Sequence, residues 1–116
     1  MALKKFVDRL TKPVEQLDQE QLDVFCRELD LAPLDSVEHR RPVRVGGEVR
    51  SVRIVPRAGA DALEVTVSDS RGTVTAVFLG RRKILGVSPG RKIVLEGVIA
   101  RDGRQQLIYN PLYTLL

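Results

Sequence analysis

The sequence has little of what many small enzymes and secreted domains depend on. Its 116 residues contain no tryptophan, three phenylalanines, two tyrosines, one cysteine and one histidine. The single cysteine, Cys26, cannot form an internal disulfide and has no second cysteine with which to hold a metal ion, and His39 is the only histidine. We therefore predict no metal and no cofactor, and we interpret Cys26 as a small buried apolar residue.

Residue patterns typical of catalysis are also absent from the sequence. The acidic residues Asp61, Glu64 and Asp69 show no spacing typical of a general acid–base pair or of metal ligands. His39 stands beside two arginines and is most simply a linker residue. The sequence predicts that the protein is not an enzyme.

Long apolar runs are missing as well. Near the start, the stretch MALKKFVDRL is interrupted by four charged residues, so it resembles neither a signal-peptide core nor a membrane span. We expect a cytoplasmic protein without a membrane partner. With 43% hydrophobic and 29% charged residues, the chain has an ordinary globular composition, and its length suits one compact domain with a helical appendage.

Charge is distributed unevenly along the chain. Residues 1–38 carry five basic and nine acidic residues, whereas residues 39–116 carry fourteen basic and six acidic ones. Twelve of those fourteen are arginines, whose planar guanidinium groups suit phosphate oxygens and can stack on bases. The simpler alternative is a solvated basic surface that keeps the protein soluble.

The N-terminal part has helical periodicity. A first helix is predicted from an apolar stripe that ends before Pro13: Leu3, Phe6, Val7 and Leu10. A second helix is predicted to begin at Asp18, which forms a capping box with Gln21 inside a hydrophobic staple of Leu17 and Leu22. Its apolar stripe consists of Leu22, Phe25, Cys26 and Leu29. Such a stripe packs on the chain's own core, or it forms a contact with a partner protein or a second copy.

From residue 43 the hydrophobic period changes to two, which is typical of strands. A change of parity after Val49 predicts a bulge near Arg50 and Ser51 that bends a long first strand. Further strands are predicted in LEVTVSD, TVTAVFL, KIVLEGVIA and QQLIYN, with a tight hairpin at Asp102-Gly103. The segment GRRKILGVSPGR is predicted to connect the third strand to the fourth.

Five strands with a long bent first one predict a mainly β protein: a five-stranded OB-fold barrel with Greek-key topology and an N-terminal helical extension. An SH3-like or other five-stranded barrel is the alternative, because strand count does not determine topology. We divide the chain into residues 1–38, the helical extension and linker, and residues 39–116, the OB-fold domain.

Four stretches in succession resemble the OB-fold wedge domain of RecG-type branch-migrating DNA helicases and related nucleic-acid-binding domains. They are VRVGGEVRSVRI, VTVSDSRGTVTAVFL, SPGRKIVLEGVIARDGR and LIYNPLY, and the match covers about residues 42–114. Asp69 and Gly72 match the turn before the third strand, Pro89 and Gly90 the turn before the fourth, and Pro111 and Tyr113 the closing Pro-x-Tyr element. The resemblance implies a nucleic-acid-binding OB domain.

The chain departs from that helicase group in two ways. It contains no G-x-x-x-x-G-K-[ST] phosphate-binding loop, so it resembles a free-standing OB domain of a small actinobacterial type and not a helicase. At the end of the third strand, Leu79 follows Phe78 where the group often has a second aromatic residue. This difference weakens the case for base stacking at Leu79.

An OB barrel binds nucleic acid on the outer faces of its second and third strands and on the flanking loops. We predict twelve contact residues: Arg53, Arg57, Thr66, Thr75, Val77, Leu79, Arg81, Arg82, Lys83, Arg101, Arg104 and Tyr109. The predicted partner is single-stranded or branched DNA, or RNA, bound through a basic rim with little sequence selectivity. The alternative is a protein-interaction or adaptor domain, with a partner or self-association at the N-terminal helices.

Both tyrosines lie in LIYNPLY, on either side of an Asn-Pro break. Proline cannot donate to a strand ladder, so Pro111 is predicted to end the fifth strand. We predict that Tyr113 folds back to cover the base of the barrel or the helices, and that Tyr109 is the aromatic residue able to reach a ligand.

Overall fold

The computed structural model describes residues 14–116, and the side chains from Asp18 onward. Within that range the elements are α1 (Val14–Glu28), β1 (Pro42–Arg57), β2 (Ala60–Ser68), β3 (Thr73–Leu79), β4 (Lys92–Asp102), β5 (Gln105–Tyr109) and β6 (Leu112–Leu115). The predicted first helix lies outside the described residues. The described part of the chain is mainly β, as the change of period predicted.

Helix α1 includes Asp18 instead of beginning there, so the predicted capping role of Asp18 is wrong. The residues just before Asp18, Glu15 to Leu17, are good helix formers and continue the helix in the N-terminal direction. Leu22 is buried, and α1 packs against β1. No helix within residues 14–116 is long and apolar enough to cross a membrane.

Five strands close in a ring. β1 pairs with β2 and with β4, β2 with β3, and β4 with β5, all antiparallel. The ring closes through β3 and β5, which run parallel. A register shift between Val49 and Ser51 confirms the predicted bulge. It lies just after Glu48, the residue at which the pairing of β1 with β4 ends and its pairing with β2 begins.

The core fills the inside of this ring. Val65 and Val67 of β2 and Val74 and Ala76 of β3 are fully buried there, at alternate positions as the period of two predicted. Chain outside the strands also contributes to this core. Leu34 and Val37 of the segment after α1 belong to it, as do Ile84 and Val87 of the β3–β4 connector.

The segment after α1 is held to the ring by polar contacts that span the chain. The Asp69 carboxylate accepts bonds from the backbone N–H of Arg71 and Gly72 and also from that of Leu34, at 2.8 to 2.9 Å. Gln106 donates to the Leu34 carbonyl at 2.7 Å and bonds with His39 at 2.9 Å. This segment is therefore part of the packed structure around the ring.

Strand β6 was not predicted from the sequence. β5 ends before Pro111, as predicted, and Asn110 has a positive φ of 46° that redirects the chain. Leu112–Leu115 then pairs antiparallel with the first half of β4. The Asn-Pro break therefore divides one apolar stretch into two strands on the same side of β4.

Candidate nucleic-acid interface

Strand register brings one residue from each of four strands into a row on the outer face of the ring. Arg53 is the register partner of Glu64, Glu64 of Val77, and Val77 of Tyr109. Register partners project to the same side of a sheet, so the four side chains are neighbours. Together with Arg57 we call these residues the outer cluster.

Glu64 lies at the centre of the outer cluster and is only 8% exposed. Its Oε2 accepts a hydrogen bond from Arg57 Nε at 2.8 Å, and its Oε1 lies 3.4 Å from Arg53 Nη2. A carboxylate with so little solvent contact is tolerated when it is paired. Two of the predicted phosphate-binding arginines are therefore engaged with a carboxylate.

Arg57 also links Glu64 to the aromatic residue of the cluster. The hydrogen bond with Glu64 raises the pKa of Arg57 further above its ordinary value. The guanidinium carbon lies 5.9 Å from the centre of the Tyr109 ring, and Nη1 lies 3.4 Å from the hydroxyl oxygen. The 5.9 Å distance between the guanidinium carbon and the ring centre is within the range of a cation–π contact. Tyr109 is still 44% exposed, so its ring is available at the surface beside a cation.

The remaining predicted contacts on this face differ in exposure. Val77 is fully buried against Ala62 and Leu107, so a base could reach it only if the surrounding side chains moved. Leu79 is 43% exposed at the end of β3. Thr66 and Thr75 are register partners and half-buried. The exposed apolar surface of this face therefore lies at Leu79 and Tyr109.

The connector after β3 begins with three exposed cations that differ in their partners. Arg82 forms an ion pair with Asp61, with Nη1 2.8 Å from Oδ2. Arg81 and Lys83 have no ion-pair or hydrogen-bond partner among the described residues. The free positive charge of the connector therefore lies at Arg81 and Lys83.

The β4–β5 hairpin carries Arg101 and Arg104, which are exposed and have no ion-pair partner within residues 18–116. The hairpin lies at the start of β5, whereas Tyr109 lies at its end. At about 3.3 Å per residue these ends are roughly 13 Å apart. The predicted contact residues therefore form two groups at opposite ends of the face, the hairpin pair and the residues near Tyr109 and the connector.

Sequence reasoning missed the acidic partners of the predicted rim. From the sequence, Asp61 and Glu64 were considered only as metal ligands or general acids. One sequence signal could have revealed the pairing of Glu64. A charged residue in the middle of an alternating strand has cross-strand neighbours on both sides, so it is expected to pair with an opposite charge there. Its pairing with Arg53 and Arg57 required the β1–β2 register.

Tyr113 and Cys26 lie outside the outer cluster. Tyr113 packs edge-on against the buried Phe78, with ring centres 5.7 Å apart. Cys26 borders a cleft of about 520 Å³ between α1 and the β2–β3 turn, where burial first, and then Asp69 and Asp23, raise its pKa to about 11. Within the described part of the chain, no group of three His, Cys, Asp or Glu residues is placed to hold a metal ion.

No protein-family model matches the chain, and no curated protein matches it significantly.

Proposed function

We propose that the protein is a non-catalytic nucleic-acid-binding module with an OB-fold, which contacts single-stranded or branched DNA, or RNA, with little sequence selectivity. The observation that carries this proposal is the pairing order of the ring. A long bent β1 shared between β2 and β4, closed by parallel β3 and β5, is the arrangement expected of a five-stranded OB-fold. The resemblance to RecG-type wedge domains supports the same proposal.

The distribution of free cations indicates how such a module would hold its ligand. Arg81, Lys83, Arg101 and Arg104 are exposed and have no carboxylate partner in residues 18–116. Nucleic-acid phosphates attract such cations and release counterions when they bind. Tyr109, which lies with the connector group at the end of β5, offers one exposed ring for stacking. Binding directed mainly at the backbone follows from four cations and a single exposed ring.

A protein-interaction function is supported by a different observation. Arg53, Arg57 and Arg82 are already paired with Glu64 and Asp61, which lowers the positive charge that the outer face offers to phosphates. The exposed Tyr109 and Leu79 on the same face suit a protein partner as well as a base. In this alternative the free cations would be solvated surface residues.

Fluorescence anisotropy separates the two functions. Labelled single-stranded DNA, duplex DNA, a three-way junction and single-stranded RNA would each be titrated at two salt concentrations. The proposal predicts binding to at least one of them, with affinity that falls as salt rises because phosphate contacts dominate. Absence of binding to all four at low salt would reject it and favour the protein-interaction function.

A further inference from the structure

Strand β6 lies outside the closed ring. Its strand partner within residues 14–116 is β4, and it stands at the end of the strand order. Strands of the ring have neighbours on both sides, whereas β6 has one side without a strand. This open edge of β6 is separate from the outer cluster, whose residues belong to β1, β2, β3 and β5.

The backbone pairing shows which groups face the open edge. The Leu116 N–H donates to the Lys92 carbonyl at 3.1 Å. Antiparallel ladders alternate, so Thr114 and Leu112 also direct their backbone groups toward β4, and Tyr113 and Leu115 direct theirs away. The latter two have no backbone hydrogen-bond partner among the described residues. An edge with free N–H and C=O groups is a template for one more strand.

The side chains of β6 divide into two faces. Tyr113 and Leu115 lie on the face toward the core, where Tyr113 contacts Phe78 while staying 37% exposed and Leu115 is partly buried. Leu112, Thr114 and Leu116 lie on the other face and are exposed, with Leu112 at 72%. The edge therefore presents apolar side chains beside free backbone groups.

The sequence around Thr114 is self-complementary for antiparallel pairing. A two-fold axis at Thr114 places Leu112 opposite Leu116 of a second copy, and Tyr113 opposite Leu115. Both are favourable apolar pairs across strands. In the same register Tyr113 and Leu115 form hydrogen-bonded pairs that use all four of their free backbone groups.

Charge also favours a second copy as the occupant. The chain is 29% charged and has a net charge of +4, yet no charged side chain occurs from Gln105 to Leu116. Two copies can therefore approach at β6 without like-charged side chains in the paired strands. One cation contacts the end of the stretch, since Arg91 Nε donates to the Leu116 carbonyl at 3.0 Å, just beyond β6.

We propose that β6 is a self-association site, at which two copies of this chain pair antiparallel about Thr114 to form a sheet that continues across the dimer. A four-residue strand buries a small area, so the dimer is weak and depends on concentration. Its formation does not depend on nucleic-acid binding.

Sedimentation velocity without nucleic acid, over roughly 1 to 500 µM, tests this site through a charge exchange at Thr114. In the dimer the two Thr114 side chains face each other, so Thr114→Lys or Thr114→Glu alone places like charges in contact and should weaken association at least about tenfold. An equimolar mixture of the two variants should dimerise as well as the unchanged protein, to within about threefold. Gln105→Lys adds the same charge at an exposed position of β5 and should have no effect.

Circular dichroism would establish that every variant is folded, which is expected because Thr114 is exposed. Leu112→Lys, on the same exposed face, is a second independent variant and should also weaken association. A protein that is monomeric over the whole range would overturn the proposal. A dimer that Thr114→Lys leaves unchanged, or a mixture that stays monomeric, would do the same.

Discussion

At the scale of single residues, Glu64 controls the charge of the outer face because it engages both Arg53 and Arg57. Glu64 lies on β2 and is only 8% exposed, so water and dissolved cations have little access to its carboxylate. The two arginines are therefore its main source of charge compensation. The charge that this face offers to a ligand therefore depends on one carboxylate. Replacing Glu64 should therefore change both the stability of the protein and its affinity for a nucleic acid.

Glu64→Gln removes the negative charge while keeping the shape of the side chain. We expect a loss of about 1 to 3 kcal/mol in unfolding free energy, because the two arginines lose their charged partner. Affinity for a single-stranded oligonucleotide should rise, and the salt slope should steepen by about 0.7 for each additional phosphate that the released arginines neutralise. Denaturant unfolding and anisotropy measure the two effects. Glu96→Gln, which breaks an exposed pair with Arg44, is the matched control; weaker binding by the Glu64 variant would contradict the prediction.

Tyr109→Leu and Tyr113→Leu distinguish a ligand contact from a packing contact. Tyr109 is exposed, so its loss should weaken single-strand binding by about 1 to 3 kcal/mol and change the melting temperature little. Tyr113 is 37% exposed, but its ring packs edge-on against the buried Phe78, so its loss should lower the melting temperature and leave binding unchanged. Thermal melting and anisotropy are measured on both. If Tyr109→Leu binds normally, stacking at Tyr109 is excluded.

The raised pKa of Cys26 predicts slow thiol chemistry. A pKa of about 11 in place of 9.0 leaves roughly 100-fold less thiolate at pH 8, so iodoacetamide should react about that much more slowly than with the denatured protein. The folded pKa is the higher one, so the stability from the neutral thiol is present below pH 9 and is lost as pH rises through 11. Equal reaction rates for the folded and denatured protein at pH 8 would show that the thiol is not shielded.

At the scale of elements, the β3–β4 connector has two roles. Its buried residues Ile84 and Val87 belong to the core, and its exposed cations face solvent. The ion pair of Arg82 with Asp61 makes the three neighbouring cations unequal, although the sequence GRRK presents them as equivalent. Binding measurements can resolve this difference.

The double change Arg81→Ala with Lys83→Ala should reduce the slope of log affinity against log salt by about 1.4, because each phosphate that is no longer neutralised lowers the slope by about 0.7. Arg82→Ala should change the slope much less, because its charge is already balanced by Asp61. Anisotropy titrations on single-stranded DNA at several salt concentrations measure the slopes. Arg81→Ala and Lys83→Ala would also be measured singly. If Arg82→Ala lowers the salt slope as much as either of these single changes, the ion pair between Arg82 and Asp61 does not persist in solution.

At the scale of the whole molecule, the segment after α1 and the ring unfold as one unit if they share a core. Leu34→Ala should destabilise the protein by about 2 to 5 kcal/mol, because Leu34 is 1% exposed inside the ring core. The unfolding transition should remain single. Leu85→Ala, at a leucine that is 85% exposed, is the control and should have little effect. A second transition in the Leu34 variant would mean that the segment unfolds separately from the ring.

Elements with a local signal could be predicted from the amino-acid sequence. The alternation in β2 and β3, the parity change at the bulge and the Asp-Gly hairpin each depend on neighbouring residues, and each is present in the structure. The helix boundary at Asp18 was missed because a capping pattern also occurs inside helices. β6 was missed because LYTL alone has no clear period.

Contacts between residues far apart in the sequence could not be predicted, because they depend on how the strands assemble. Leu34 and Gln106 are 72 positions apart, and the pairing of Arg57 with Glu64 depends on the β1–β2 register. Val77 and Leu79 have the same period and the same face, yet one is buried under its neighbours and the other is exposed at a strand end. Burial and ion pairing depend on the strands that lie alongside, and closure of the ring selects those strands by long-range packing that no local pattern records.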